Sequence, residues 1–133
     1  MTKWGVFLDR DGTLVPNVPY AVEPSQLRLY RTAAAALARL IDQRARLVVV
    51  SNQSAVARGL LSRAGLRRMD ARLKALLGEE GVRLARAYYC PHHPQWGGPC
   101  RCRKPKPGLI QDGLKSLGLE ASRCYLIGDS MDD

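Results

Sequence analysis

The chain has 133 residues, 46% hydrophobic and 25% charged, which fits one soluble globular domain and excludes a disordered or fibrous protein. No apolar run reaches the ~20 residues needed to cross a bilayer, and Met1, Thr2 and Lys3 lead directly into a strand-like segment instead of a signal peptide, so a cytoplasmic protein is expected. With 21 Lys and Arg against 12 Asp and Glu the net charge is +9, which favours anionic partners but does not choose among phosphorylated metabolites, nucleic acid and acidic surfaces.

In chain order, Lys3 to Leu8 reads as a first strand that ends in Asp9, Arg10, Asp11, Gly12 and Thr13. Two carboxylates two residues apart at a strand's end can share a divalent cation while one attacks and the other moves protons, and Gly12 lets the backbone turn beneath a ligand. Thr32 to Ile41 predicts a helix with Ala33, Ala36, Leu37, Leu40 and Ile41 on one face. Arg46 to Val50 predicts a second strand, its unbroken apolar run Leu47 to Val50 marking a parallel strand buried on both faces. Ser62 is placed to cap a second helix in which Leu66, Met69, Leu73 and Leu76 recur as core residues, closed by Gly78 and Gly81. A weaker third strand spans about Leu84 to Tyr89, a loop runs from Cys90 to Pro107, a third helix covers Gly108 to Leu117, and a fourth strand covers Cys124 to Ile127, with Cys124 a small buried residue.

This alternation predicts an α/β fold, an open doubly wound (Rossmann-like) mostly parallel sheet with helices on both faces, forming a single domain over residues 1–133. Ligands in such sheets bind beyond the carboxyl ends of the strands. There the chain delivers Asp9 and Asp11, Ser51 and Asn52, a basic cluster, and Asp129. Arg39, Arg44, Arg67, Arg68 and Arg72 read as a solvated face, whereas Arg101, Arg103, Lys104 and Lys106 lie beside cysteines and read as part of a local site. Cys90, His92, Cys100 and Cys102 form C-x-H-x7-C-x-C, three thiolates and an imidazole, a complete tetrahedral set for Zn²⁺ with His93 as the rival imidazole. Four protein ligands leave no open position, so this zinc is expected to be structural and to fix the loop that leads into Arg103 and Lys104.

In sequence order, Asp9-Arg10-Asp11-Gly12-Thr13, Ser51, Lys104 and Gly128-Asp129-Ser130-Met131-Asp132-Asp133 resemble the four motifs of the haloacid dehalogenase superfamily of phosphohydrolases. The stretch Ser51 to Gly59, together with Cys90-Pro91-His92-His93-Pro94 and Cys100 to Gly108, is similar to the D,D-heptose 1,7-bisphosphate phosphatases; the histidinol-phosphate phosphatases share the plan. The resemblance implies Asp9 as nucleophile through an aspartyl-phosphate and Asp11 as acid and base. It further implies Mg²⁺ on the carboxylates of Asp9 and Asp129 and the backbone carbonyl of Asp11, Ser51 and Lys104 on the phosphate, Asn52 and Arg103 on the substrate, and His92 as the zinc ligand. The expected reaction is removal of the C7 phosphate of D-glycero-D-manno-heptose 1,7-bisphosphate by a monomer.

The alternatives are histidinol phosphate, towards which the seven residues between His92 and Cys100 point, a polynucleotide 3′-phosphatase, and a non-catalytic zinc-stabilised binding module. Against nucleic acid stand the few aromatics, two Trp, five Tyr and one Phe, available to stack on bases. A small phosphorylated metabolite is the expected partner, and no membrane is. Because the chain ends at Asp133, inside the fourth motif, where superfamily members continue with a helix and usually a strand, a C-terminal part is expected to be missing.

Overall fold

The computed structural model describes residues 3–19 and 21–133; Met1 and Thr2, invoked above for the N-terminus, lie outside the described residues. Four strands, β1 (Trp4–Leu8), β2 (Ala45–Asn52), β3 (Arg86–Cys90) and β4 (Cys124–Ile127), pair in parallel in the order β3-β2-β1-β4. Val6, Phe7 and Leu8 lie in register with Leu47, Val48 and Val49, and all six are buried. Both faces of the central strands are covered, which is why their sequences are continuously apolar.

Helices α1 (Ala33–Asp42) and α2 (Arg63–Glu79) cover one face, where Leu37, Met69, Leu73 and Leu77 pack with Val6, Leu8, Leu47 and Val49. Each such side chain removed from water contributes about 1.5–3 kcal/mol. Helix α3 (Gly108–Leu117) covers the other face, where Leu109 and Leu117 meet Phe7, Val48 and Val50. A Cβ at Gly113 would stand 2.7 Å from Phe7 Cε1, so the absence of a side chain there lets α3 lie close to the sheet. Ser62 does cap α2, its Oγ accepting from the Gly65 N–H at 2.9 Å.

Several local expectations shift. Strand β2, expected over Arg46 to Val50, runs from Ala45 to Asn52, so Ser51 and Asn52 are its last residues. Strand β3 begins at Arg86, after the Ala85 N–H has bonded the Leu47 carbonyl at 2.7 Å. Ala36 faces solvent because Ala33 and Leu37 seat α1. Gly78 lies inside the last turn of α2, and Gly81, at φ +74°, turns the chain just beyond it. Cys124 is only partly buried because β4 is an edge strand whose Tyr125, Leu126 and Ile127 are exposed. Among the described residues no helix is long and apolar enough to cross a membrane.

From β1 the chain winds outward to β2 and β3, then crosses back by α3 to place β4 on the other side of β1. The winding direction reverses between β1 and β4, and that reversal opens the crevice in which α/β sheets hold ligands. The Asp9 N–H donates to the Ile127 carbonyl at 3.0 Å and ties the two strand ends together at this point.

Candidate active site

Asp9 follows β1, and its carboxylate is 13% exposed. The Arg10 N–H donates to Asp9 Oδ1 at 2.9 Å, and the Lys104 ammonium lies 3.1 Å from the same oxygen. Lys104 is itself 5% exposed and also pairs with Asp133, so one buried cation balances two carboxylates. Burial raises the Asp9 carboxyl above its ordinary pKa, and the charge and hydrogen bond of Lys104 oppose that rise. Such a carboxylate is partly dehydrated and faces a cation, the setting of an activated oxygen nucleophile.

Asp11 is turned differently. Its Oδ1 accepts from Arg10 Nε at 2.8 Å, and its Oδ2 accepts from an Arg10 terminal nitrogen at 3.2 Å and from Gln53 Nε2 at 3.1 Å. The Gln53 amide also donates to Ser51 Oγ at 2.8 Å, and its oxygen accepts from Arg10 at 3.0 Å. Arg10 is 1% exposed. These contacts form one network, Ser51–Gln53–Arg10–Asp11, that fixes the second carboxylate beside the first; the fork of Arg10 gives it a two-point hold.

Beyond Asp11 the chain reverses, with the Gly12 N–H donating to the Val15 carbonyl at 2.7 Å and Gly12 at φ +81°. A Cβ on Gly12 would overlap the Asp129 carboxylate. Gly12→Ala therefore combines a strained backbone with displacement of Asp129. Phosphate release by this variant is expected to fall at least about 100-fold, as misplacement by about 1 Å can cost, with steady-state kinetics as the check.

Asp129 and Asp133 follow β4, where the Ser130 N–H donates to Asp133 Oδ2 at 3.0 Å. Carboxylate oxygens of Asp9, Asp129 and Asp133 all lie within 4.8 Å of one another, a set of hard donors suited to Mg²⁺. The carboxylate of Asp11 is not in this set, being engaged by Arg10 and Gln53. The resemblance gives Mg²⁺ no ligand at Asp133; the turn through Ser130 brings its carboxylate round.

Asn52 was anticipated as a substrate contact, yet its amide clamps the chain at Lys104: Oδ1 accepts from the Lys104 N–H at 2.9 Å and Nδ2 donates to the Lys104 carbonyl at 3.1 Å. Of the basic cluster only Lys104 reaches the cleft. Arg101 pairs with Asp112 at 2.9 Å, Arg103 donates to the His92 carbonyl at 3.2 Å, and Lys106 donates to the Cys100 carbonyl at 2.7 Å. Asp9, Asp11, Asn17, Ser51, Asn52, Lys104 and the Asp129–Asp133 turn line a cleft of about 270 Å³. A second cleft of about 320 Å³ adjoins it and shares Asp11, Asn17 and Asn52. No local sequence signal marks Asn17, which lies in a loop.

Cys90, His92, Cys100 and Cys102 converge, with donor atoms within 4.8 Å of one another. Cys90 Sγ is 3.6 Å from Cys100 Sγ and 3.7 Å from His92 Nδ1, and Cys102 Sγ is 3.7 Å from Cys100 Sγ. These three separations are close to the edges of a tetrahedron of thiolates and imidazole about 2.0–2.3 Å from a central Zn²⁺, while Cys102 Sγ stands closer than such an edge, at 2.8 Å from Cys90 Sγ and 3.2 Å from His92 Nδ1. His93 stands apart, its Nδ1 accepting from the Gln95 N–H at 3.1 Å and its ring edge-on to Trp96. Burial and a hydrogen bond to Cys102 push the Cys90 thiol up to about 12. At Cys100 burial acts the same way, but the backbone N–H groups of Arg103 and Cys102 outweigh it and bring the thiol down to about 6.

Residues 101–133 match the family model described as HAD-hydrolase-like. Over 138 aligned residues the chain is 38% identical to the D-glycero-β-D-manno-heptose-1,7-bisphosphate 7-phosphatase of Haemophilus ducreyi, covering 100% of this chain and 76% of that protein. A Mesorhizobium loti protein described as a HAD-like phosphatase superposes with a TM-score of 0.93 at 32% identity, over 99% of this chain and 66% of its own. The D,D-heptose 1,7-bisphosphate phosphatase of B. bronchiseptica, solved with magnesium and phosphate, superposes with a TM-score of 0.86 at 30% identity, over 99% and 72%.

Proposed function

Because the chain belongs to the heptose-1,7-bisphosphate 7-phosphatase family of haloacid dehalogenase-like hydrolases, we propose that it removes the C7 phosphate of D-glycero-D-manno-heptose 1,7-bisphosphate through an aspartyl-phosphate on Asp9. The observation that carries the chemistry is the pair of differently held carboxylates, Asp9 against Lys104 and Asp11 in the grip of Arg10 and Gln53.

Asp9 attacks phosphorus in line, and the bond from phosphorus to the sugar oxygen breaks as the new one forms. Asp11 gives a proton to the departing oxygen, then takes one from the water that attacks the aspartyl-phosphate. That attack releases inorganic phosphate and restores Asp9. Ser51 donates its hydroxyl hydrogen to a phosphate oxygen, its lone pair being engaged by Gln53, and Lys104 neutralises negative charge as it builds. Asp11 borders both clefts, so a phosphate seated on Asp9 runs its sugar past Asp11 into the second cleft, where Asn17 supplies a polar contact.

The three carboxylates Asp9, Asp129 and Asp133 fit Mg²⁺, which when bound would offset repulsion between an anionic nucleophile and an anionic phosphate. Cys90, His92, Cys100 and Cys102 fit Zn²⁺ as a closed structural site. Arg103 belongs to this loop, donates to the His92 carbonyl, and is the proposed contact for the part of the substrate that extends beyond the cleft.

The test compares phosphate release, with Mg²⁺ present, from the heptose bisphosphate, histidinol phosphate and a 3′-phosphorylated oligonucleotide. The heptose bisphosphate should lead in kcat/KM by at least about 100-fold, the discrimination expected of a site that hydrogen-bonds its own substrate. ¹³C NMR should show C7 freed and the C1 ester retained. A lead for histidinol phosphate or the oligonucleotide would overturn the substrate assignment.

A further inference from the structure

At the far end of the sheet from Asp9, a cleft of about 460 Å³ opens where β2 begins and the chain approaches β3. Arg44, Arg46, Arg83 and Arg86 line it over a floor that includes Leu47 and Leu84. All four arginines are exposed, and among the described residues none of them forms an ion pair. Arg86 donates only to the neutral carbonyl of Ala85, at 2.7 Å. No carboxylate and no aromatic ring lines the cleft. Its arginines come from two segments far apart in sequence, and the pairing of β2 with β3 brings them together.

Arg44 carries a second, independent mark. It follows α1 at φ +67°, the one non-glycine among the described residues with positive φ. Glycine is the usual residue in that place, and a branched backbone there is held at a cost. The dipole at the end of α1 favours a cation, but it accounts for one guanidinium of the four. Concentrating like charges without a counter-charge is unfavourable unless an anion completes the set.

We infer that this cleft is a second anion site, built to take a small, multiply charged phosphate compound such as a diphosphate or bisphosphate. Guanidinium forks pair with phosphate oxygens two at a time, and four of them suit two phosphoryl groups. The volume lies in the range of small-ligand sites, about 300–1,000 Å³. The lack of an aromatic platform argues against a nucleic-acid strand. β2 separates this cleft from the catalytic rim by about 23 Å, from seven residue steps at about 3.3 Å each, so a ligand here does not share the phosphate position at Asp9.

The experiment titrates the full chain with methylenediphosphonate, which cannot be hydrolysed, by calorimetry in Mg²⁺-free buffer at low ionic strength. Arg46→Gln/Arg86→Gln should weaken binding by about tenfold or more. Arg63→Gln/Arg67→Gln, which removes the same net charge from the exposed face of α2, should change it by less than about twofold. Equal losses in both variants would mean diffuse charge attraction and would overturn the site. So would full affinity in the Arg46/Arg86 variant, or no saturable binding at all. Amide shift mapping on the unsubstituted chain should move Arg44 to Leu47 and Leu84 to Arg86; shifts confined to Asp9, Ser51 and Lys104 would also overturn it. Both variants should keep phosphatase activity, so failure of the catalytic proposal would register separately.

Discussion

Asp9→Asn should lower phosphate release on the order of 10⁴-fold from both a sugar phosphate and p-nitrophenyl phosphate, because it removes the carboxylate held beside Lys104 on which the covalent ester is proposed to form. Asp11→Asn should behave differently towards the two. Against the sugar phosphate it should lose about 10²–10⁴-fold, the worth of a positioned general acid and base. With the aryl ester, nitrophenolate departs without a proton, so the first step survives and the second lacks its base. Rapid-mix kinetics should then show a burst approaching one nitrophenolate per chain before slow turnover, and Asp9→Asn should show none. Arg10→Lys replaces the two-point hold on Asp11 by a single contact, and its sugar-phosphate activity should fall by about 10–100-fold. A burst from Asp9→Asn would remove Asp9 from the nucleophile's role.

The second large effect concerns the Cys90–Cys102 loop. Cys102→Ser, or exhaustive treatment with a strong chelator, should lower Tm by on the order of 10 °C, since a structural zinc site contributes its binding energy to folding and each kcal/mol is worth several degrees in a small domain. Metal analysis should find about one zinc per chain before treatment and little after. Activity should fall with it, because Lys104 stands two residues beyond Cys102 and its ammonium must stay near Asp9. A chain that carries no zinc and keeps its Tm in Cys102→Ser would refute the structural zinc.

The sheet, the three helices and the convergence of Cys90, His92, Cys100 and Cys102 were legible because each rests on a local pattern: apolar runs, a helical stripe, ligand spacing. What escaped rests on pairings across the chain. Nothing nearby in sequence announces Gln53, 43 positions away, as the partner of Arg10. Four basic residues around position 103 look equivalent on paper. Three are absorbed by Asp112 and two backbone carbonyls, leaving at the cleft Lys104, which only the motif resemblance had set apart. Arg44 reads as part of a helix face, yet it lies past the helix end and lines a different cleft.

The amide of Asn52 grips the backbone of residue 104 through both its N–H and its carbonyl, without touching the side chain there. Address and cargo are thus written in different residues: Asn52 specifies where the cation is delivered, and position 104 specifies what is delivered. Such a division leaves the charge at the heart of the cleft open to change by a single codon while the frame that presents it stays in place.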